Sequence, residues 1–115
     1  MQRVRKAPSV VMGKLGGAGE GQATVNIIEP PDGLNKKGRM FSHIVLDPGA
    51  SISYHQHTGD TEWYYIIKGE GVFNDNGKEV QVSGGDVCET PHGESHSLKN
   101  TGDNKLEMIA LVLFS

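Results

Sequence analysis

Several kinds of protein are excluded by what this 115-residue chain lacks. It has one cysteine, Cys88, so no internal disulfide can staple it and a disulfide scaffold is ruled out. Its longest apolar run, Met108 to Phe114, falls far short of the roughly 20 residues that a membrane helix needs. Basic residues are not in excess: 11 Lys and Arg stand against 14 Asp and Glu, a formal charge of −3, which argues against binding a phosphate backbone. Met1–Gln2–Arg3 is basic, but no apolar stretch follows it, so no signal peptide is expected. Together these absences set the expectation of a cytoplasmic protein with neither nucleic acid nor membrane as a partner. Convincing helical spacing is missing too, because glycine or proline interrupts every window of about a dozen residues that approaches it.

Glycine is what the chain has in abundance: 16 of 115 residues, with only 5 prolines and no collagen-like period. The glycines fall between short apolar runs, a pattern that points to an all-β sandwich or barrel. Strands are expected at Met40–Leu46, Ser51–His57, Glu62–Lys68, Gly71–Asn74, Lys78–Val82, Asp86–Thr90, His96–Asn100 and Leu106–Phe114. Asn76–Gly77 has the chemistry of a tight hairpin turn between two of them. Eight short strands with tight turns suggest an antiparallel barrel of the jelly-roll type. The first 39 residues read as an N-terminal arm of the same domain, with residues 40–115 forming the barrel. Within the arm, Met12–Gly21 holds five glycines and reads as a loop, while Ala23–Glu29 is a candidate edge strand before the Pro30–Pro31–Asp32–Gly33 turn.

His55 and His57 lie two apart on an expected strand, so both imidazoles project from one face. Glu62 opens the next strand and can return to the same height. His96 begins a late strand that a barrel can bring across. Three imidazoles and a carboxylate suit a divalent ion of the Mn, Fe, Co, Ni, Cu or Zn group. Two solvent-facing imidazoles would account for His55 and His57 equally well on these grounds alone.

The spacing around these residues resembles the cupin superfamily. Its first motif, G-x5-H-x-H-x3,4-E-x6-G, reads here as Gly49, His55, His57, Glu62 and Gly69; its second, G-x5-P-x-G-x2-H-x3-N, reads as Gly85, Pro91, Gly93, His96 and Asn100. A spacer, Glu70–Gly84, separates the two. The resemblance implies a double-stranded β-helix (jelly-roll) barrel in which His55, His57, Glu62 and His96 bind one metal ion. Asn100 and Asp86 are then turn and hydrogen-bond formers, and Cys88 a small buried hydrophobe.

Strand parity extends the reading to a pocket. Ser51 and Ser53 are expected to face inward with His55 and His57, Tyr64 and Ile66 with Glu62, and Leu98 with His96. Tyr64 is the candidate pocket hydroxyl, with a core tyrosine as the alternative. His43 and His92 lie outside the ligand pattern and are candidates to touch substrate or carry a proton. Trp63 and Tyr65 face the other way, toward a second sheet or a partner subunit. Arg39, just before a strand, could reach the cavity mouth but is expected to be solvated.

The stretches Gly69–Phe73, Asp75–Lys78 and Gly85–Cys88 resemble small single-domain cupins described as similar to oxalate decarboxylase, with manganese as the metal. That resemblance implies a metal-dependent enzyme, a decarboxylase or dioxygenase acting on a small polar molecule such as a carboxylate. Manganese is the favoured ion, followed by iron, zinc or nickel. Two other functions stay open: a metal-containing protein that binds or senses a small ligand without turnover, and a sugar-type isomerase. In bicupin oxalate decarboxylases an arginine stands three residues before the first ligand histidine; the equivalent here is Ile52. A homodimer through sheet packing is expected.

Overall fold

The structure, a computed structural model, describes residues 3–115. Ten strands follow one another along the chain: β1 (Ser9–Gly13), β2 (Gln22–Glu29), β3 (Gly38–Leu46), β4 (Ser51–Gln56), β5 (Asp60–Lys68), β6 (Glu70–Asp75), β7 (Lys78–Ser83), β8 (Val87–Thr90), β9 (Ser95–Asn100) and β10 (Leu106–Phe114). Single 3₁₀ turns occupy Leu15–Gly17 and Pro31–Leu34. All pairings are antiparallel. They build a six-stranded sheet in the order β1-β2-β3-β10-β5-β8 and a four-stranded sheet in the order β4-β9-β6-β7. This is the expected all-β jelly roll.

The core lies between the sheets and follows from period-2 patterning. Along β10, Leu106, Met108, Ala110 and Val112 are buried, while the residues between them are only partly covered. Ile44 and Leu46 of β3, Tyr64 and Ile66 of β5, Phe73 of β6 and Leu98 of β9 meet them from both layers. Asn100 is buried as a hydrogen-bond hub, its amide donating to Leu46 O at 3.0 Å and Asn104 O at 2.8 Å while its oxygen accepts from Gly102 N. Asp86 accepts from Ser83 N at 2.8 Å, and Cys88 is buried, so these three residues take their expected parts. Asn76 and Gly77 both adopt positive φ (52° and 97°) in the two-residue β6–β7 turn. Gly69 has φ 94°, and a Cβ there would lie 2.6 Å from Lys105 O, so only glycine fits.

The amino-terminal segment is more ordered than a glycine-rich loop. β1 takes in Met12 and Gly13, and it forms the sheet edge; β2 is an inner strand, flanked by β1 and β3. All five residues of β1 are exposed, so the strand has no alternating signature by which a sequence could announce it. Between β1 and β2, the Leu15–Gly17 turn folds back over β4, where Ser53 Oγ accepts from Ala18 N and donates to Gly16 O. Ser51 Oγ accepts from Glu20 N at 2.9 Å.

Candidate metal centre

β4, the residue just past its end, β5 and β9 deliver the four motif side chains to one place. One ligating atom from each of His55, His57, Glu62 and His96 lies within 4.8 Å of the others, and all but His55 are fully buried. His57 Nε2 and His96 Nε2 stand 3.0 and 3.1 Å from Glu62 Oε1. The Nε2 atoms of His57 and His96 are 3.1 Å apart, and those of His96 and His55 are 3.3 Å apart. Donors about 2.0–2.2 Å from a shared ion would be separated by roughly 3 Å along a coordination edge, which these spacings match.

The outer nitrogens explain why the inner ones point where they do. His55 Nδ1 lies 2.7 Å from the Ser53 carbonyl oxygen, which can only accept, so this nitrogen carries the proton. His57 Nδ1 donates to Asp60 Oδ1 at 2.7 Å, and His96 Nδ1 pairs with Thr90 Oγ1 at 2.7 Å. An Nδ1–H on His55 and His57 leaves an Nε2 lone pair aimed inward whenever the ring is neutral, and the Thr90 hydroxyl, which can donate or accept, holds the His96 ring with its Nε2 inward as well. Imidazole nitrogens 3.1–3.3 Å apart beside a carboxylate oxygen need a positive charge among them, a proton or a metal ion. The donor set therefore fits a cation.

The charges respond in the same sense. Burial alone would raise the Glu62 carboxyl, but hydrogen bonds from His57 and His96 outweigh it and hold the pKa at about 2. The hydrogen bond to Glu62 raises His57 above its ordinary value despite burial, with Asp60 adding to the effect. Burial lowers His96. A metal ion bound at these nitrogens competes with protons for the same lone pairs, so its affinity depends on pH.

A cavity of about 220 Å³ opens onto this cluster. Ile44, Ile52 and Met40 give it an apolar wall, Leu15 and Gly16 of the 3₁₀ turn close over it, and Tyr64 and Arg39 add polar groups. Tyr64 stacks on His96 with ring centroids 5.1 Å apart and places its hydroxyl 3.4 Å from His96 Nε2. Burial, reinforced by the Glu62 charge, pushes the Tyr64 pKa well above 10, so the hydroxyl keeps its proton.

Several sequence expectations need correcting. Ser53 does not line the cavity: it is bonded to the backbone of the amino-terminal turn, and Ser51 faces the same segment. The cause is a β-bulge. Ile52 pairs with Leu98 and His55 with His96, so Ser53 and Tyr54 on β4 stand against the single Ser97 on β9, and Ile52 and His55 share the inner face. His43 is also outside the cavity, on the outer face of the large sheet, paired with Asn26 and with Glu107 Oε1 at 2.9 Å. His92 accepts from Gly59 N at the surface. Ile66 and Leu98 are fully buried in the core and do not contribute to the cavity wall. Arg39 is exposed, as expected, and also reaches that wall.

Asp60 and Thr90 are functional neighbours that the sequence reading passed over. The position of Asp60, three residues after His57 in a short turn, was the available signal; nothing marked Thr90.

The family model described as Cupin domain matches residues 42–113. The chain belongs to the cupin family. It is 44% identical to the "Oxalate-binding protein" of Thermotoga maritima over 95 residues, covering 83% of this chain and 78% of that protein. A Thermotoga maritima crystal structure described as a predicted oxalate decarboxylase superposes with a TM-score of 0.92 at 39% identity, over 99% of this cupin and 100% of that chain. The plu4264 protein of Photorhabdus luminescens shares the fold alone, with a TM-score of 0.69 at 19% identity over 97% of this cupin and 88% of that chain.

Proposed function

We propose that this cupin is a metal-dependent binder of small carboxylates of the oxalate class. The observation that carries the reading is the convergence of three imidazole nitrogens and the Glu62 carboxylate beside a small, otherwise mostly apolar cavity. His55, His57, Glu62 and His96 would hold a divalent ion, which supplies a compact Lewis-acidic charge to an anionic ligand. Manganese is our first choice, with iron next and zinc or nickel after them. The name of the Thermotoga maritima relative, an oxalate-binding protein, supports the ligand class.

Turnover is the second reading, and Tyr64 favours it. A decarboxylase must return a proton to its product, and the Tyr64 hydroxyl is a protonated group in the cavity wall beside His96. A sugar-type isomerase would need an acid and base pair, and among the described residues lining the cavity no second carboxylate accompanies Glu62.

Elemental analysis of untagged protein, followed by calorimetric titration with oxalate, tests the proposal. Near-stoichiometric manganese or iron and saturable oxalate binding are expected. Protein that neither contains nor takes up metal, or that binds no oxalate when loaded, would overturn it. Release of CO₂ or uptake of O₂ in the same samples would move the assignment to decarboxylase or dioxygenase.

We also propose a homodimer through the outer face of the large sheet. Tyr65 is half exposed there, beside the exposed Ile67 and Val87. Sedimentation should give a dimer that Tyr65→Glu dissociates; a wild-type monomer at micromolar concentration would end this idea.

A further inference from the structure

Arg39 stands where a strand ladder breaks. On β10, Val112 lies opposite Met40 and Leu113 opposite Gly38, so Arg39 is the extra residue of a bulge in β3. A bulge redirects a side chain that regular pairing would send elsewhere. Here it allows the adjacent Arg39 and Met40 both to line the cavity beside His57, Glu62 and Tyr64.

The guanidinium is held at one edge and open at the other. Its Nε donates to Asp60 Oδ2 at 2.7 Å, and the second oxygen of that buried carboxylate takes the His57 Nδ1 proton at 2.7 Å. Asp60 thus ties the arginine to the metal cluster through a fixed pair of bonds. Among the described residues, the two terminal nitrogens of Arg39 make no hydrogen bond to the protein. They offer four N–H donors in a planar fork, the geometry that matches a carboxylate. No lysine or second arginine lines the cavity among the described residues, so Arg39 is the permanent cation there.

We propose that Arg39 is the carboxylate-recognition residue of this site, taking the far carboxylate of a short dicarboxylate whose near end lies at the His55, His57, Glu62 and His96 cluster. The inference deepens the proposed function and rests on it. It makes the ligand a dianion rather than any small carboxylate, because both ends meet positive charge. Asp60 holds the fork in place, so the ligand does not have to order a long, flexible side chain when it binds.

Calorimetric titration of metal-loaded wild type, Arg39→Gln and Arg39→Lys tests this, with oxalate and with oxamate, in which an amide replaces one carboxylate. Wild type should prefer oxalate. Arg39→Gln should lose about 10- to 100-fold in oxalate affinity, the range expected for a charged hydrogen-bonded pair, and much less for oxamate. Arg39→Lys should fall between them, and metal content should be unchanged in all three. Unchanged oxalate affinity in Arg39→Gln would overturn the inference while leaving the proposed function standing. Equal losses for both ligands, with loss of metal, would show that Arg39 acts only through Asp60 and His57, and would also overturn it. A loaded wild type that binds neither ligand would overturn both the inference and the function beneath it.

Discussion

β4 and β5 both supply side chains to the same cluster, and they do so in different ways. β5 alternates without interruption through the site: Asp60, Glu62, Tyr64 and Ile66 are buried, and the residues between them face outward. β4 carries a bulge between Ile52 and His55, so those two residues share a face although they are three apart. His57 lies just past the end of β4, where its N–H donates to Glu94 O at 2.9 Å. The regular strand sets alternation, and a single extra residue in the other exchanges which side chains meet the cavity. Parity is a reliable guide only over a stretch whose ladder is unbroken.

The largest test of this arrangement removes the ligand that links the two strands. His57 touches Glu62 of β5 directly and is oriented by Asp60 of the same strand. His57→Ala should abolish metal retention, read by elemental analysis after gel filtration. Asp60→Ala keeps the four cluster side chains but removes the acceptor that orients the imidazole, and should weaken metal affinity by about 10- to 100-fold. Stoichiometric metal in His57→Ala would mean that the cluster is not the metal site.

How much of this was legible depended on the ladder. The cupin motifs marked all four cluster residues and the glycines at the turns, because those positions are fixed by local spacing. Strand ends were readable to within a residue or two, since apolar alternation along β10 or β5 is written directly in the sequence. Ser53 was misplaced, and the reach of the exposed Arg39 into the cavity wall went unread, for one shared reason: a bulge is a property of the pairing of two strands, and nothing in either strand alone announces it. His43 looked available for chemistry, yet its partners Asn26 and Glu107 come from β2 and β10, which only the folded sheet brings to its side. β1 escaped because an exposed edge strand has no buried face to leave a pattern.

The regular strand's contribution can be sharpened in metal-free protein. Glu62 is held at about 2 in the fold against an ordinary 4.5. Its stabilising contribution is therefore fully present above pH 4.5 and disappears as pH falls through about 2; the shift corresponds to roughly 3 kcal/mol. His57 is raised above 6.5, so its contribution is fully present below that value and is lost as pH rises through its folded pKa. Urea midpoints measured in chelator should peak in the mildly acidic range between these limits. Glu62→Gln should lower the peak and flatten its acid side. An acid limb of unchanged steepness in that variant would show that Glu62 is not held by the two histidines.

The smallest expected effect tests the bulged strand. If β4 were regular, Ser53 would share the cavity face with His55, and removing its hydroxyl would alter ligand binding. In the folded protein that hydroxyl instead accepts from Ala18 N at 3.1 Å and donates to Gly16 O at 2.7 Å. Ser53→Ala should therefore cost about 0.5–1.5 kcal/mol of stability by loosening the amino-terminal turn. Metal affinity should not change, because His55 is oriented by the Ser53 backbone carbonyl, which alanine retains. The loosened turn would free Leu15 and Gly16 of the cavity wall, so on the proposed function oxalate should dissociate faster. Stopped-flow kinetics beside a denaturation midpoint would separate the two effects. A loss of metal affinity with normal stability would mean that the hydroxyl faces the cluster, and that the bulge is misplaced.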